Sequence, residues 1–549
     1  MGGPVKAGER EAIVTGFGVW GRRQAARAAT LAIVAAGLIG LGGGTARAEL
    51  QDLPEAELSL SRALSIALQN NLDLVSARIN PQISETQVEN NRSNFDPNLA
   101  ATFNFSESVA AAQANQFTAP NIERESSQVS IDQLLGWGGD YRAAFSLTRS
   151  DAAFNAVNPQ FSSSLSVDYG QELLQGFGRE VNQEQLLLAR RNLEISYDQL
   201  DQTTQQTINT VESAYWDLVA ARRALVVEET ALIRANRFLE LNRRQVEVGT
   251  LAPIEITQAE ADVAAQVERV IVAEVTLENR EDDLRNLLGV EFGDSMWVSR
   301  LIPTDAPMEQ SAPINLQSAI DMAKDKRPEL REARKNIANN ELTERATLNR
   351  VAPSLRASAG FTSTGDNIIA QPILGPDGMQ IIDPIFGPLQ ENVGVDLVDS
   401  IEEIGDVVNY DWRVGLEFRL PLFNRAARAN HAGAKLRTEQ SRINVDRLER
   451  QVEVEVRQAV RGVTSGEQRL AAARASVRLE RKQLEAEQKK FENGMSTSFE
   501  VLTFQNQLAT AELSEINALV DLAKARTTLE LTKGTLLSAR GLKLQTENN

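Results

Sequence analysis

Cysteine is absent from this chain of 549 residues, and His431 is its one histidine. Disulfides, thiolate metal sites and histidine-rich metal centres are thereby excluded, as is acylation of an N-terminal cysteine. Positive charge is outnumbered, with 57 Lys and Arg against 75 Asp and Glu. The formal charge is −18, and residues 1–48 carry six basic residues against two acidic ones, leaving −22 for the remainder. Nucleic acid is not an expected partner, because phosphate binding needs basic patches. Beyond residue 48 no run of apolar residues is long enough for a transmembrane helix. Nucleophile elbows, metal clusters and phosphate loops are missing too. Asp and Glu are scattered over helix faces as solvated charge, so neither enzymatic activity nor a cofactor is expected.

Residues 1–48 read as a signal peptide. Arg22, Arg23 and Arg27 precede an apolar run from Ala28 to Leu41, and Ala46-Arg47-Ala48 supplies the cleavage site. The run is short for a membrane span.

What the remainder does contain is a repeat. Apolar residues recur every seventh position at Val211, Leu218, Leu225, Leu232, Leu239 and Val246, and again at Val456, Val463, Leu470, Val477, Leu484 and Phe491. Gly249 and Gly494 follow the two ladders, and Gly289 and Gly534 keep the same offset. Heptads of this kind predict helices that pair as coiled coils. The first repeat spans 49–300, with strands about 98–170, a long helix 182–248 and a helix 254–288. The second spans 301–549, with strands about 354–364 and 410–421, a long helix 430–493 and a helix 499–533. Leu60–Asn94 and Leu316–Arg350 are further helices by pattern, each as long as 254–288. At about 1.5 Å per residue, two such helices end to end match one long one.

The strand regions alternate. Leu99, Ala101, Phe103 and Phe105 interleave with Ala100, Thr102, Asn104 and Ser106; Trp412, Val414, Leu416 and Phe418 interleave with Arg413, Gly415 and Glu417. Such segments suit a membrane β-barrel, with lipid outside and water inside, and a half-buried soluble sheet equally well. An extra pair, 127–134 and 141–150, is joined by Gly136-Trp137-Gly138-Gly139-Asp140. Gly365–Asn409 reads as a long outward loop. Four to six strands cannot close a wide barrel alone, and an open edge in lipid leaves amides unsatisfied. Several chains are therefore expected to share one barrel, continued by their helices as a tube.

The chain resembles the TolC-like outer membrane factor family over nearly all of its mature length. The resemblance rests on Leu58-Ser59-Leu60-Ser61-Arg62-Ala63-Leu64, Asn70-Asn71-Leu72-Asp73-Leu74, Gln171-Glu172-Leu173-Leu174-Gln175-Gly176-Phe177-Gly178, Val211-Glu212-Ser213-Ala214-Tyr215-Trp216-Asp217-Leu218, Val248-Gly249-Thr250-Leu251-Ala252-Pro253 and Leu420-Pro421-Leu422-Phe423-Asn424-Arg425. It implies a mainly α fold with a membrane β region, in which a trimeric β-barrel continues into a periplasmic α-helical coiled-coil barrel. It also implies an outer-membrane location with a large periplasmic portion, a homotrimer giving four strands per protomer to a 12-stranded barrel, and an iris at the helical tips. A periplasmic adaptor (membrane fusion) protein and an inner-membrane pump of RND, ABC or MFS type are the implied partners, with outer-membrane lipid. The function implied is a passive duct of a tripartite efflux or type I secretion system. A structural or adhesive envelope-spanning coiled-coil protein is the alternative, one that needs no paired strands of lipid length. The extra hairpin departs from the four-strand pattern, and either widens the barrel or folds outside it.

Six residues after each tip glycine stands a carboxylate, Glu255 and Glu500. In the family, acids here face the lumen near the closed end, so a pore aperture with rings of negative charge is one reading. A first-turn carboxylate meeting the helix dipole is the other. The tips Val248, Gly249, Thr250 and Asn493, Gly494, Met495 are candidate adaptor contacts, although turn chemistry alone also places glycine there. Tyr215 and Trp216 are expected to pack, Trp137, Trp412 and Phe361 to join an aromatic belt or pack on strands, and His431 to be solvated.

Overall fold

A computed structural model describes residues 54–109, 121–152, 155, 157–307, 313–366, 368–376, 378–383, 387–388, 390–394 and 397–542. The signal-peptide segment 1–48 lies outside the described residues. The first repeat comprises β1 (Glu55–Leu58), α1 (Leu60–Asn70), α2 (Leu72–Arg92), β2 (Asn98–Val109), β3 (Asn121–Leu134), β4 (Gly139–Ala152), β5 (Gln160–Glu172), α3 (Glu184–Glu247) and α4 (Ile254–Leu288). The second comprises β6 (Arg300–Pro303), α5 (Leu316–Lys326), α6 (Pro328–Asn349), β7 (Ser354–Asp366), α7 (Leu397–Asp406), β8 (Asn409–Arg419), α8 (Arg425–Glu492) and α9 (Ser498–Thr532). None of the described helices is long and apolar enough to cross a membrane.

The helical half forms as the heptads require. Val463, Leu470, Val477, Leu484 and Phe491 are buried along α8 against Val501, Leu508, Leu522 and Leu529 of α9, while Val456 is buried against Ala319, Ile320 and Ala323 of α5 and Leu330 of α6. Burying each such side chain contributes about 1.5–3 kcal/mol. Glu515, the polar interruption of the α9 heptad, accepts a hydrogen bond from Arg474 Nε at 3.2 Å. The α3 ladder is buried at Val211, Leu218 and Leu239 and half-buried elsewhere.

Two expected helices are each broken in two. Leu60–Asn94 is interrupted at Asn71, whose side chain accepts from Leu74 N and so caps α2. Leu316–Arg350 is interrupted at Arg327, which Pro328 holds extended while opening α6 itself. The end-to-end stack therefore uses α2 and α4, about 84 Å together, beside α3 at about 96 Å. At the joint, Asn71 Nδ2 donates to Leu287 O at 2.9 Å. A Cβ on Gly289 would stand 2.3 Å from the Asn70 carbonyl oxygen. Gly534 abuts Lys326 in the same way at the end of α9. Around this joint β1 and β6 pair in parallel and clip the two repeats together over a core of Leu58, Leu64, Val211, Tyr215, Leu218, Leu284 and Leu301.

The other half is one antiparallel sheet of six strands in the order β8-β7-β5-β4-β3-β2. The resemblance implies four; the additional two are the hairpin β3–β4, longer than its alternation suggests. Register sorts the sheet into two faces. Leu99, Ile131, Ala143, Val167, Phe361 and Trp412 form one row, and Ala101, Val129, Phe145, Leu165, Ser363 and Tyr410 the next. The opposite face carries Thr102, Gln128, Ser146, Ser164 and Thr364. Leu99, Phe103, Val414, Leu416 and Phe418 are exposed on the apolar face, as a lipid-facing surface requires. Gly365–Asn409 is not a plain loop. Ile368–Pro372 pairs with Gln390–Gly394, and α7 folds back on the sheet, where Ser163 and Ser363 donate to the carbonyls of Ser400 and Ile404 at 2.5 and 3.2 Å.

Candidate functional site

The structure places candidate side chains at three levels: the helical tips, the joint and the polar face of the sheet. Both tips are glycine C-caps. Gly249 and Gly494 take φ of +79° and +70°, and the next residues, Thr250 and Met495, donate to the carbonyls of Gln245 and Lys490 at 2.9 Å. These backbone bonds fix where the candidate contacts Val248, Gly249, Thr250, Asn493, Gly494 and Met495 stand, at the solvent-facing end of the coiled coils. Behind them the hairpins are riveted together. Phe238 meets Phe491 at 5.3 Å between ring centres, and Asn242 Nδ2 donates to Ser498 Oγ at 3.3 Å.

The two candidate aperture carboxylates differ. Glu500 completes a capping box, accepting from Thr497 N at 3.2 Å while Thr497 Oγ1 accepts from Glu500 N at 3.3 Å. Ser496 Oγ lies 2.9 Å from Glu500 and 2.6 Å from Glu487, whose other oxygen accepts from Lys490 Nζ at 2.8 Å. The Ser496 hydroxyl, followed by the Thr497 amide, holds the Glu500 carboxyl below its usual range. Lys490, then Ser496, does the same for Glu487. Glu255 stands in the first turn of α4 after Pro253, half-buried, with Oε2 shut from solvent and unbonded among the described residues.

At the joint, Glu212 is buried and accepts from Arg540 Nε at 3.0 Å, Thr527 Oγ1 at 2.7 Å and Trp216 Nε1 at 3.4 Å. Tyr215 is fully buried, donates to Leu58 O at 3.0 Å, and is pushed up to about 12 chiefly by desolvation. Both aromatic residues pack as expected; the Tyr215 hydroxyl also bonds Asp305 at 3.0 Å and so ties α3 to the start of each repeat, while Trp216 bonds within α3. His431 differs from expectation: it is half-buried, with Nδ1 shut from solvent and unbonded among the described residues.

On the sheet's polar face a charged belt crosses the strands. Asn98, Asp132, Arg142, Asp168, Gly360 and Arg413 occupy one row, and Arg413 reaches over Gly360 to bond Asp168. Arg356 likewise lies over Gly170 and bonds Asp140 at 2.6 Å and Glu172 at 2.9 Å. A Cβ at Gly170 would stand 2.0 Å from Arg356 Nη2, and one at Gly360 2.5 Å from Asp168. The alternation pattern marks these positions as polar, but the belt depends on register, which the sequence does not display. On the apolar face Tyr141 and Tyr169 are paired near the Trp137 turn, and Phe361 stacks on Tyr410 at 6.1 Å, beside Trp412. Trp137 thus stands at one end of the strands, with Phe361 and Trp412 well along them. Among the described residues no three His, Asp or Glu side chains gather to hold a metal ion.

A sheet with one lipid-suited face, continued by helices of about 100 Å, defines a membrane-anchored wall segment of a duct. Comparison with known proteins gives that class its name. The outer membrane efflux protein family model matches residues 63–290 and 319–535, one stretch in each repeat, and the chain belongs to that family. Solved structures agree in fold. The CmeC outer membrane channel of Campylobacter jejuni is 16% identical, with a TM-score of 0.60 over 87% of this chain and 86% of its own. The outer membrane protein VceC of Vibrio cholerae is 14% identical, with a TM-score of 0.59 over 86% and 96%. The open-state MtrE outer membrane channel of Neisseria gonorrhoeae is 17% identical, with a TM-score of 0.56 over 87% and 89%. No match was found among curated proteins. The protein is an outer-membrane efflux channel with a large periplasmic helical portion.

Proposed function

We propose that three copies assemble into a passive duct for tripartite efflux or type I secretion, gated at the helical tips. A periplasmic adaptor docks on those tips, and an inner-membrane pump of RND, ABC or MFS type supplies the energy. The observation that carries this reading is the pair of sheet edges, β2 and β8. Among the described residues each is a full-length strand with no strand paired on its outer side, which lipid does not tolerate. The edge strands run in opposite directions, so β2 of one copy can pair antiparallel with β8 of the next, and rotation closes the ring. An adhesive coiled-coil role would leave this sheet unexplained. At the tips, Glu255 and Glu500 would recur three times each as rings that concentrate cations. The test is a detergent-extracted preparation examined for a heat-modifiable trimer that conducts ions in planar bilayers. A water-soluble, non-conducting monomer overturns the reading. Cysteines introduced at Thr250 and Met495 should cross-link to the adaptor, and intact ducts without such links would remove the tips from the docking surface.

A further inference from the structure

We propose that the outer-membrane barrel of this protein has 18 strands, six from each of three copies, and so a bore about half again as wide as a 12-stranded one. This rests on the trimeric reading above and adds to it the size of the path through the membrane.

The extra hairpin is part of the wall. β3 pairs with β2 along the whole of Asn98–Val109, and β4 with β5 from Gly139 to Ser150. The apolar and polar faces continue across it without a break: Val129, Ile131, Ala143, Phe145 and Leu147 lie on one side, Gln128, Ser130, Ser146 and Thr148 on the other. A hairpin folded outside the barrel has no reason to keep that segregation in register with its neighbours.

Its turn is built into the strand–helix junction. Glu172 N donates to Gly138 O at 3.0 Å, Gly178 N to Trp137 O at 3.1 Å, and Gln133 Nε2 to Phe95 O at 2.7 Å. The hairpin also brings its own share of the lumenal charge. Asp132 and Arg142 extend the Asp168–Arg413 row, and Asp140 is a partner of Arg356 in β7. Moving it out of the wall would leave Arg356 without one of its two carboxylates. Signs alternate along the row, so the wider bore carries no like-charged ring at this level, and admission there is set by size more than by charge.

Strand spacing near 4.8 Å and a tilt near 40° give a backbone diameter of about 36 Å for 18 strands, against about 24 Å for 12. End-on averages of the detergent-solubilised wild-type protein by electron microscopy should show the larger ring. Because the chain has no cysteine, pairs introduced into the full-length protein in outer membranes report neighbours cleanly. A short dithiol-reactive linker should join Ala101→Cys to Val129→Cys and Phe145→Cys to Leu165→Cys within one chain. It should also join Phe103→Cys to Val414→Cys or Leu416→Cys between chains, as a covalent trimer. Intermolecular trimers with a ring of about 24 Å, and linkage of Ala101→Cys directly to Val167→Cys, overturn the 18-stranded barrel and leave the trimeric duct standing. Absence of any intermolecular product, with monomers in the micrographs, overturns both.

Discussion

The two helical tips are built from the same parts and finished differently. Each long helix ends on a left-handed glycine, Gly249 or Gly494, whose following residue bonds back into the last turn. Each return helix then places a glutamate six residues on. In the second tip that glutamate is committed: Glu500 closes the capping box on Thr497 and shares Ser496 with Glu487. In the first tip Pro253 precedes α4 with no side-chain cap, and one oxygen of Glu255 is unbonded among the described residues. Repetition therefore preserves the path of the backbone more faithfully than the chemistry of the end. If the duct opens at its tips as proposed, one hairpin can be held firm and the other left easier to move.

The largest effect should come from removing what the two tips share. Phe491 is buried against Phe238, and Phe491→Ala should cost about 3–5 kcal/mol by emptying that contact. Hydrogen exchange should then accelerate on both sides, in the last turns of α3 and α8 alike. Acceleration confined to α8 would mean that the hairpins open independently and that the comparison compares two unconnected ends.

The cap asymmetry itself is broken by Thr497→Ala, expected to cost about 1 kcal/mol and to loosen only the start of α9. Acid should act on the same place. Glu487 and Glu500 titrate below the ordinary value of 4.5 in the folded tip. The unfolded chain thus binds protons first as pH falls. The stability these carboxylates contribute is present above about pH 4.5 and is lost as pH drops through their lowered values. Amides of residues 493–500 should lose protection in that window after correction for intrinsic rates. Protection unchanged in acid would show that the bonds around Ser496 do not hold the tip.

How much of this could be read from the chain depends on the length scale of each signal. The heptads of α8 run long enough to announce themselves, and every rung from Val456 to Phe491 is buried. The family and the paired strands were legible for the same reason. The breaks at Asn71 and Arg327 were not, because Ala63, Leu64 and Leu74 keep a helical rhythm on both sides of the cap. The packing of α7 against the sheet was hidden by the Gly, Pro and Asp content of Gly365–Asn409, which says loop while α7 finds its partner over 200 residues away at Ser163. The belt of Asp168, Arg356 and Arg413 depends on which strand stands beside which, a fact of topology that no local pattern carries. At the tips the glutamates were visible and their bonding was not: Ser496 and Glu487 belong to the turn and the preceding helix, nine residues apart.

The smallest structural change, with the sharpest functional reading, is charge removal at each glutamate in turn. Glu500→Gln keeps a side-chain acceptor in the capping box but weakens it, so a small loosening confined to the start of α9 is expected. Glu255→Gln should change stability little, because it removes a half-buried charge but also a first-turn carboxylate that meets the helix dipole. Conductance separates the aperture from the cap. Glu500 is exposed, and its bonds favour the ionised form, so capping does not silence its field. If the carboxylates ring the lumen, each Gln variant should raise single-channel conductance or weaken divalent block in planar bilayers, and the double variant should do so more. If Glu500→Gln alters only the exchange rates at the start of α9, with conductance and block unchanged, that glutamate is a helix cap and no part of the aperture. If Glu255→Gln alone changes conduction, the aperture belongs to the first hairpin, the one whose chemistry the repeat left unfinished.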